Sequence, residues 1–124
     1  MQRNPQYKPK MKRIKKPTRK HTKGQQNEHL VSQHLKRKGW NIVCQNYQFF
    51  GVEVDILAKK KGIYTLVEVK SLRNEAHLEK ILSDQQKTRL KTVAEALSPQ
   101  TPKGLHLLLA LVNLKGTIHF VEIE

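Results

Sequence analysis

The sequence predicts an α/β domain built on a central mixed sheet flanked by helices, in the order α-β-β-β-α-β-β. Three observations carry that expectation. Val52 to Ala58 and Ile63 to Lys70 alternate apolar with polar residues at the two-residue period of strands. Leu90, Val93, Ala94 and Leu97 repeat at helical spacing. Leu105 to Asn113 is nearly continuous in apolar residues, which marks a strand covered on both faces.

The first helix spans Gly24 to Gly39. Leu30, Val31 and Leu35 form its apolar stripe, Lys36, Arg37 and Lys38 crowd its last turn, and Gly39 suits the C-terminal cap. Glu28 falls three and seven residues before Val31 and Leu35, at the edge of that stripe. Trp40 to Phe50 follows as a strand, and Gly51 allows a turn or bulge. In the next strand Val52, Val54, Ile56 and Ala58 share one face, opposite Glu53, Asp55 and Leu57. Lys59-Lys60-Lys61-Gly62 reads as a turn. The third strand then sets Thr65, Val67 and Val69 against Leu66, Glu68 and Lys70.

Ser71 to Leu82 carries no clear period and reads as a loop with some helix. Ser83, followed three residues later by Gln86, resembles a capping box opening the second helix, which Pro99 and Pro102 end. Lys115-Gly116 turns the chain into a last strand through Ile118, Phe120 and Ile123. Trp40, Tyr47, Phe49 and Phe50 could stack nucleobases, although strand aromatics more often pack a core.

Charge divides the 124-residue chain into an arm and one domain. Ten of its 24 Lys and Arg lie within residues 1–23, which hold no acid, and residues 24–124 hold the other 14 with all ten acids. The arm includes Lys12, Arg13, Lys15, Lys16, Arg19 and Lys20 and is broken by Pro5, Pro9 and Pro17. It has too little apolar surface to offset its ordering entropy, so it is expected to be disordered in isolation. Cations on phosphates release counterions and give sequence-independent affinity, which points to nucleic acid. A solubility tail has the same composition. The longest apolar run is far too short to span a bilayer, so no membrane is expected. Cys44 is the only cysteine and the six histidines show no ligand spacing, which excludes an intrachain disulfide and argues against a zinc site. A cytoplasmic protein is expected.

The chemistry concentrates in Asp55, Glu68 and Lys70. A charge in a strand interior is costly unless it is paired or binds a metal. Neighbouring strands lie about 4.8 Å apart, so carboxylates on adjoining strands can share one cation. Mg²⁺ takes one or two protein carboxylates and fills its shell with water and phosphate oxygens. Lys70, two residues past Glu68, can orient or help deprotonate a water and offset charge on phosphorus. The backbone carbonyl of Val69 is a further candidate ligand. A solvent-facing edge hairpin with weak cross-strand ion pairs fits the same residues, and the pattern by itself leaves both readings open.

Glu53-Val-Asp-Ile-Leu-Ala58 and Leu66-Val-Glu-Val-Lys-Ser71 resemble the PD-(D/E)xK nuclease superfamily, the restriction-endonuclease-like fold. Within it the chain is most similar to the YraN-like family and more distantly to archaeal Holliday-junction resolvases. Glu28, Gly39-Trp40, Asn46, Gly51 to Ala58, Leu66 to Lys70 and Lys87-Thr-Arg-Leu90 carry the YraN-like pattern, over roughly residues 24 to 97. Val52 is an extra residue between Gly51 and Glu53, and Leu105 to Glu124 departs from the usual ending.

The resemblance implies a restriction-endonuclease-like fold and a Mg²⁺- or Mn²⁺-dependent endonuclease cutting DNA, with branched or repair intermediates as candidate substrates. Asp55 and Glu68 would be metal ligands, joined by Val69 and, directly or through water, by Glu28; Lys70 would be the catalytic lysine. Arg73, Gln86 and Lys87 would contact substrate phosphate; the arm, which is not a usual feature of the family, would add affinity by its charge alone. DNA is preferred over RNA, and relatives that cut junctions suggest a homodimer. A nucleic-acid-binding module of the same fold, without chemistry, is the alternative.

Overall fold

The computed structural model describes residues 23–72 and 82–123. Helix α1 (Lys23–Arg37) leads into strands β1 (Asn41–Phe49), β2 (Val52–Lys60) and β3 (Ile63–Ser71). Helix α2 (Asp84–Leu97) and a short 3-10 turn (Ser98–Gln100) precede β4 (Leu105–Val112) and β5 (Ile118–Glu122). The strands form one sheet in the order β1-β2-β3-β4-β5. β3 and β4 are parallel and every other neighbouring pair is antiparallel. This is the mixed α-β-β-β-α-β-β sheet expected from the sequence.

Each helix covers one face. Leu90, Val93 and Leu97 of α2 pack with Cys44, Phe49, Val54, Leu57 and Leu66. Val31 and Leu35 of α1 pack with Ile56, Ala58, Val67, Ala110 and Val112 on the other face. Leu30 differs from its expected place in the α1 stripe: it is 41% exposed, and the helix buries the polar Asn27 and Ser32 instead. Those two are satisfied across the interface, Asn27 Nδ2 donating to Ser71 Oγ at 2.7 Å and Gln45 Nε2 donating to Ser32 Oγ at 3.0 Å. A buried amide or hydroxyl without such a partner would cost about 1–3 kcal/mol.

Helix α1 ends as Gly39 requires. Gly39 has φ +92, Trp40 N–H donates to Leu35 O and Gly39 N–H to Lys36 O, both at 3.0 Å, the paired bonds of a Schellman cap. Helix α2 opens on the expected box, with Gln86 N–H donating to Ser83 Oγ and Ser83 N–H to Gln86 Oε1, both at 3.1 Å. The basic turn is shorter than the sequence suggests. Lys59 and Lys60 belong to β2, and only Lys61 (φ +49) and Gly62 (φ +84) make the turn, because two positive-φ residues suffice for a tight hairpin.

The face alternation of β2 also differs. Val52 and Val54 pack on the α2 side with Leu57, whereas Ile56 and Ala58 pack on the α1 side. The change of face falls at Asp55. Opposite it on β1, between the pairs Gln45↔Ile56 and Tyr47↔Val54, Asn46 adopts φ +49. A left-handed residue breaks the two-residue period of its own strand, and the change of face on β2 falls directly opposite that break in β1.

Candidate active site

The β2–β3 ladder runs from Lys60↔Ile63 to Ile56↔Val67 and stops. Asp55 and Glu68 are the next residues on each strand, at the point where the two strands cease to pair. Asp55 takes over the lost ladder contact with its side chain, Oδ2 accepting the Val69 N–H at 2.8 Å. Glu68 faces Lys70 on its own strand, with Nζ 3.5 Å from Oε2 and side chains 15% and 30% exposed. Two residues apart on one strand, they share a face, as their spacing predicts.

The separated strands form the floor of a cleft of about 730 Å³. Glu53, Asp55, Glu68, Val69 and Lys70 line it, and Glu28 enters from α1. Gln86 and Arg89 of α2 line it as well, as do Gly51 and Val52 from the start of β2. The structure therefore brings Glu28, Asp55, Glu68, Val69 and Lys70 together. Gln86 is also there, with its side chain engaged by the capping box. Lys87 is not part of the lining. Arg73 and the arm residues Lys12, Arg13, Lys15, Lys16, Arg19 and Lys20 lie outside the described residues.

Crowding acids with little water raises the cost of ionising them. Burial pushes the Glu28 carboxyl up to about 7, the Asp55 charge adds to this, and a hydrogen bond with the Asn46 side chain opposes it. Glu68 is likewise pushed up to about 7 by burial and the Asp55 charge, against the pull of Lys70. Asp55 is raised by burial, while the Val69 N–H holds it down. Glu28 and Asp55 share a hydrogen bond that favours the proton on Glu28.

The donor set suits a hard divalent cation. Two carboxylates lining an open cleft provide the one or two protein ligands that Mg²⁺ requires, and a cation would offset their repulsion. Among the described residues no three His, Cys, Asp or Glu side chains are grouped to hold a metal alone. Coordination here would therefore be completed by water, backbone or substrate oxygens.

Two residues of the site stand within the family pattern but receive no role from the sequence. Asn46 both turns β1 and hydrogen-bonds Glu28; an Asn in the middle of a strand pattern was its signal. Arg89 faces a cleft lined by four carboxylates yet joins none of the described ion pairs, which are Lys70–Glu68 and His106–Glu122. Its signal was the Lys-x-x-Arg-Leu pattern, in which the lining residue is the arginine.

A family model described as Uncharacterised protein family UPF0102 matches residues 27–123.

The chain belongs to this family.

UPF0102 relatives match over most of the domain. One from Desulfosudis oleivorans is 32% identical over 103 residues, covering 81% of this chain and 84% of its own. One from Pseudothermotoga lettingae is 34% identical over 101 residues, covering 78% and 94%. In structure the chain is similar to an fdxN element excision controlling factor protein from Anabaena variabilis. The TM-score is 0.50 at 19% identity, covering 80% of this chain and 99% of that one. That likeness concerns the fold, which is restriction-endonuclease-like. No described helix is long and apolar enough to cross a membrane.

Proposed function

We infer that this UPF0102 protein is a Mg²⁺- or Mn²⁺-dependent nuclease that hydrolyses DNA phosphodiester bonds. One observation carries the reading: Asp55 and Glu68 meet where the β2–β3 ladder ends, with Lys70 beside them in an open cleft. A purely structural acid pair would gain nothing from being buried there at raised pKa, whereas a cation site would.

Asp55 and Glu68 would hold the cation, with the Val69 carbonyl and Glu28 as further oxygen donors. When bound, the cation supplies charge against the developing phosphorane and makes water more acidic. Asp55 is fixed for this role by the Val69 N–H. Lys70 orients the attacking water and balances charge at phosphorus, and Glu68 positions Lys70. Glu28, held by Asn46, can carry a proton near neutral pH and so exchange one with water in the cleft. Arg89 supplies a fork of donors from α2 for the phosphate oxygens that the carboxylates repel.

The test is cleavage of duplex, flapped and junction DNA with Mg²⁺ or Mn²⁺, with EDTA as control. Cleavage by Asp55→Ala and Lys70→Ala at the parent rate would remove the assignment. A second reading, a binding module without chemistry, is favoured by Lys70 and Arg89, which offer cations to phosphate in the same cleft. It predicts salt-sensitive DNA binding that survives Asp55→Ala and no cleavage by the parent.

A further inference from the structure

Phe50 holds a conformation that a bulky side chain adopts only against steric cost. It is the first of the two turn residues joining β1 to β2, with φ +50, followed by Gly51 at φ +81. Hairpin turns of this kind place Asn, Asp or Gly there, because a Cβ with a ring attached crowds the backbone in the left-handed region. Burial does not offset the strain: Phe50 is 68% exposed and belongs to none of the three core clusters. Phe49 beside it behaves as a core aromatic, 5% exposed and edge-on to Tyr47 with ring centroids 4.9 Å apart.

Phe50 is not itself a lining residue of the acidic cleft, but Gln48 before it and Gly51 and Val52 after it are. Open space adjoins the turn, since a Cβ added to Gly51 would meet no heavy atom within 4 Å. A strained, solvent-facing ring thus stands on the turn that carries lining residues of the cleft on either side of it. Strain kept without compensating packing is a mark of a binding residue.

We propose that Phe50 is a stacking platform for an unpaired nucleobase next to the phosphodiester in the cleft. The substrate is therefore a nucleic acid that is single-stranded or opened at that position. A base inside a continuous duplex has both faces covered by its neighbours, whereas an unpaired base offers one to an aromatic ring. Such stacking contributes roughly five- to hundredfold in affinity per base. The substrate class rests on the nuclease reading; the binding contact does not.

The test uses the full chain in EDTA, where binding is read without cleavage. Fluorescence anisotropy compares a single-stranded oligonucleotide, a flapped duplex and a blunt duplex for the parent, Phe50→Gly, Phe50→Trp and Phe50→Leu. Leu114→Ser, at another exposed apolar position, is the control. Phe50→Gly is expected to weaken binding to the single strand and the flap about tenfold while leaving the blunt duplex unchanged. Phe50→Trp retains tight binding and Phe50→Leu does not. 2-Aminopurine at the unpaired position is quenched by the parent and released by Phe50→Gly. Phe50→Gly melts no lower than the parent, because glycine relieves the turn, so lost binding cannot be ascribed to unfolding.

Unchanged binding by Phe50→Gly, equal loss on all three DNAs, or full retention by Phe50→Leu would overturn the proposal. So would a change from dimer to monomer in sedimentation with DNA binding intact, which would make Phe50 a contact between copies of the chain. If instead the parent cleaves no DNA with Mg²⁺ or Mn²⁺ while Phe50 still governs binding, the nuclease reading falls and the stacking contact stands.

Discussion

Asn27 Nδ2 donates to Ser71 Oγ at 2.7 Å, tying the residue before Glu28 to the residue after Lys70. The pair is 44 residues apart in sequence and Asn27 is 4% exposed, so the contact sets where α1 sits along β3. Asn27→Ala should cost about 1 kcal/mol, the net worth of one hydrogen bond, because water can replace Asn27 at the exposed Ser71 hydroxyl. Urea unfolding measures that loss. Because the contact orients groups rather than binding substrate, cleavage should fall in kcat more than it rises in KM. An unchanged kcat would make Asn27 a packing residue only.

Asp55→Asn keeps an oxygen to accept the Val69 N–H and removes the charge. Relief of buried repulsion with Glu28 and Glu68 should raise the melting temperature in EDTA, while cleavage falls by about a hundredfold or more. Thermal melts and initial rates on one preparation check both directions. Loss of both stability and activity would mean that the charge is structurally required.

The raised acids also fix the sign of a pH dependence. Glu28 and Glu68 have folded-state pKa values of about 7 against an ordinary 4.5. Between these values the folded state binds more protons than the unfolded chain, so stability falls as pH rises through that window. In EDTA the melting temperature should therefore drop between pH 5 and about 7.5, by a few degrees. Added Mg²⁺ should reduce the slope, since a bound cation favours the ionised carboxylates. A pH-independent melt in EDTA would show that these groups ionise freely.

Arg89→Ala should raise KM with kcat held within about threefold, and lower the salt slope of DNA binding by about one phosphate contact. Arg89→Lys, which keeps the charge without the planar fork, should recover part of the loss. Lys87→Ala, outside the cleft lining, should change these less. The reverse ranking would return the phosphate contact to Lys87.

The order of elements was legible because each carries its own period, cap or turn. Asp55, Glu68 and Lys70 were legible because acids and a lysine interrupt apolar strands. What escaped depends on long-range geometry. Nothing within the second strand reveals that its faces change at Asp55, opposite the left-handed Asn46. Leu30 counts as core on a helical wheel, yet its Cδ1 lies 3.9 Å from where a Gly116 Cβ would be, at the exposed β4–β5 turn, while Asn27 is buried through Ser71. Gln86 and Arg89 are three residues apart, and only the placement of α2 shows that both reach the cleft.

The end of the β2–β3 ladder sets a conflict for anyone trying to stabilise this protein. Substitutions that extend pairing past Ile56 and Val67 would add backbone hydrogen bonds and draw Asp55 and Glu68 together, so a stronger sheet would be a narrower cleft. Thermostabilised variants selected for folding alone should therefore tend to lose whatever the cleft does. Selection for stability with ligand affinity retained should leave residues 53–55 and 68–70 untouched and spend its changes at the Lys61–Gly62 end of the same hairpin.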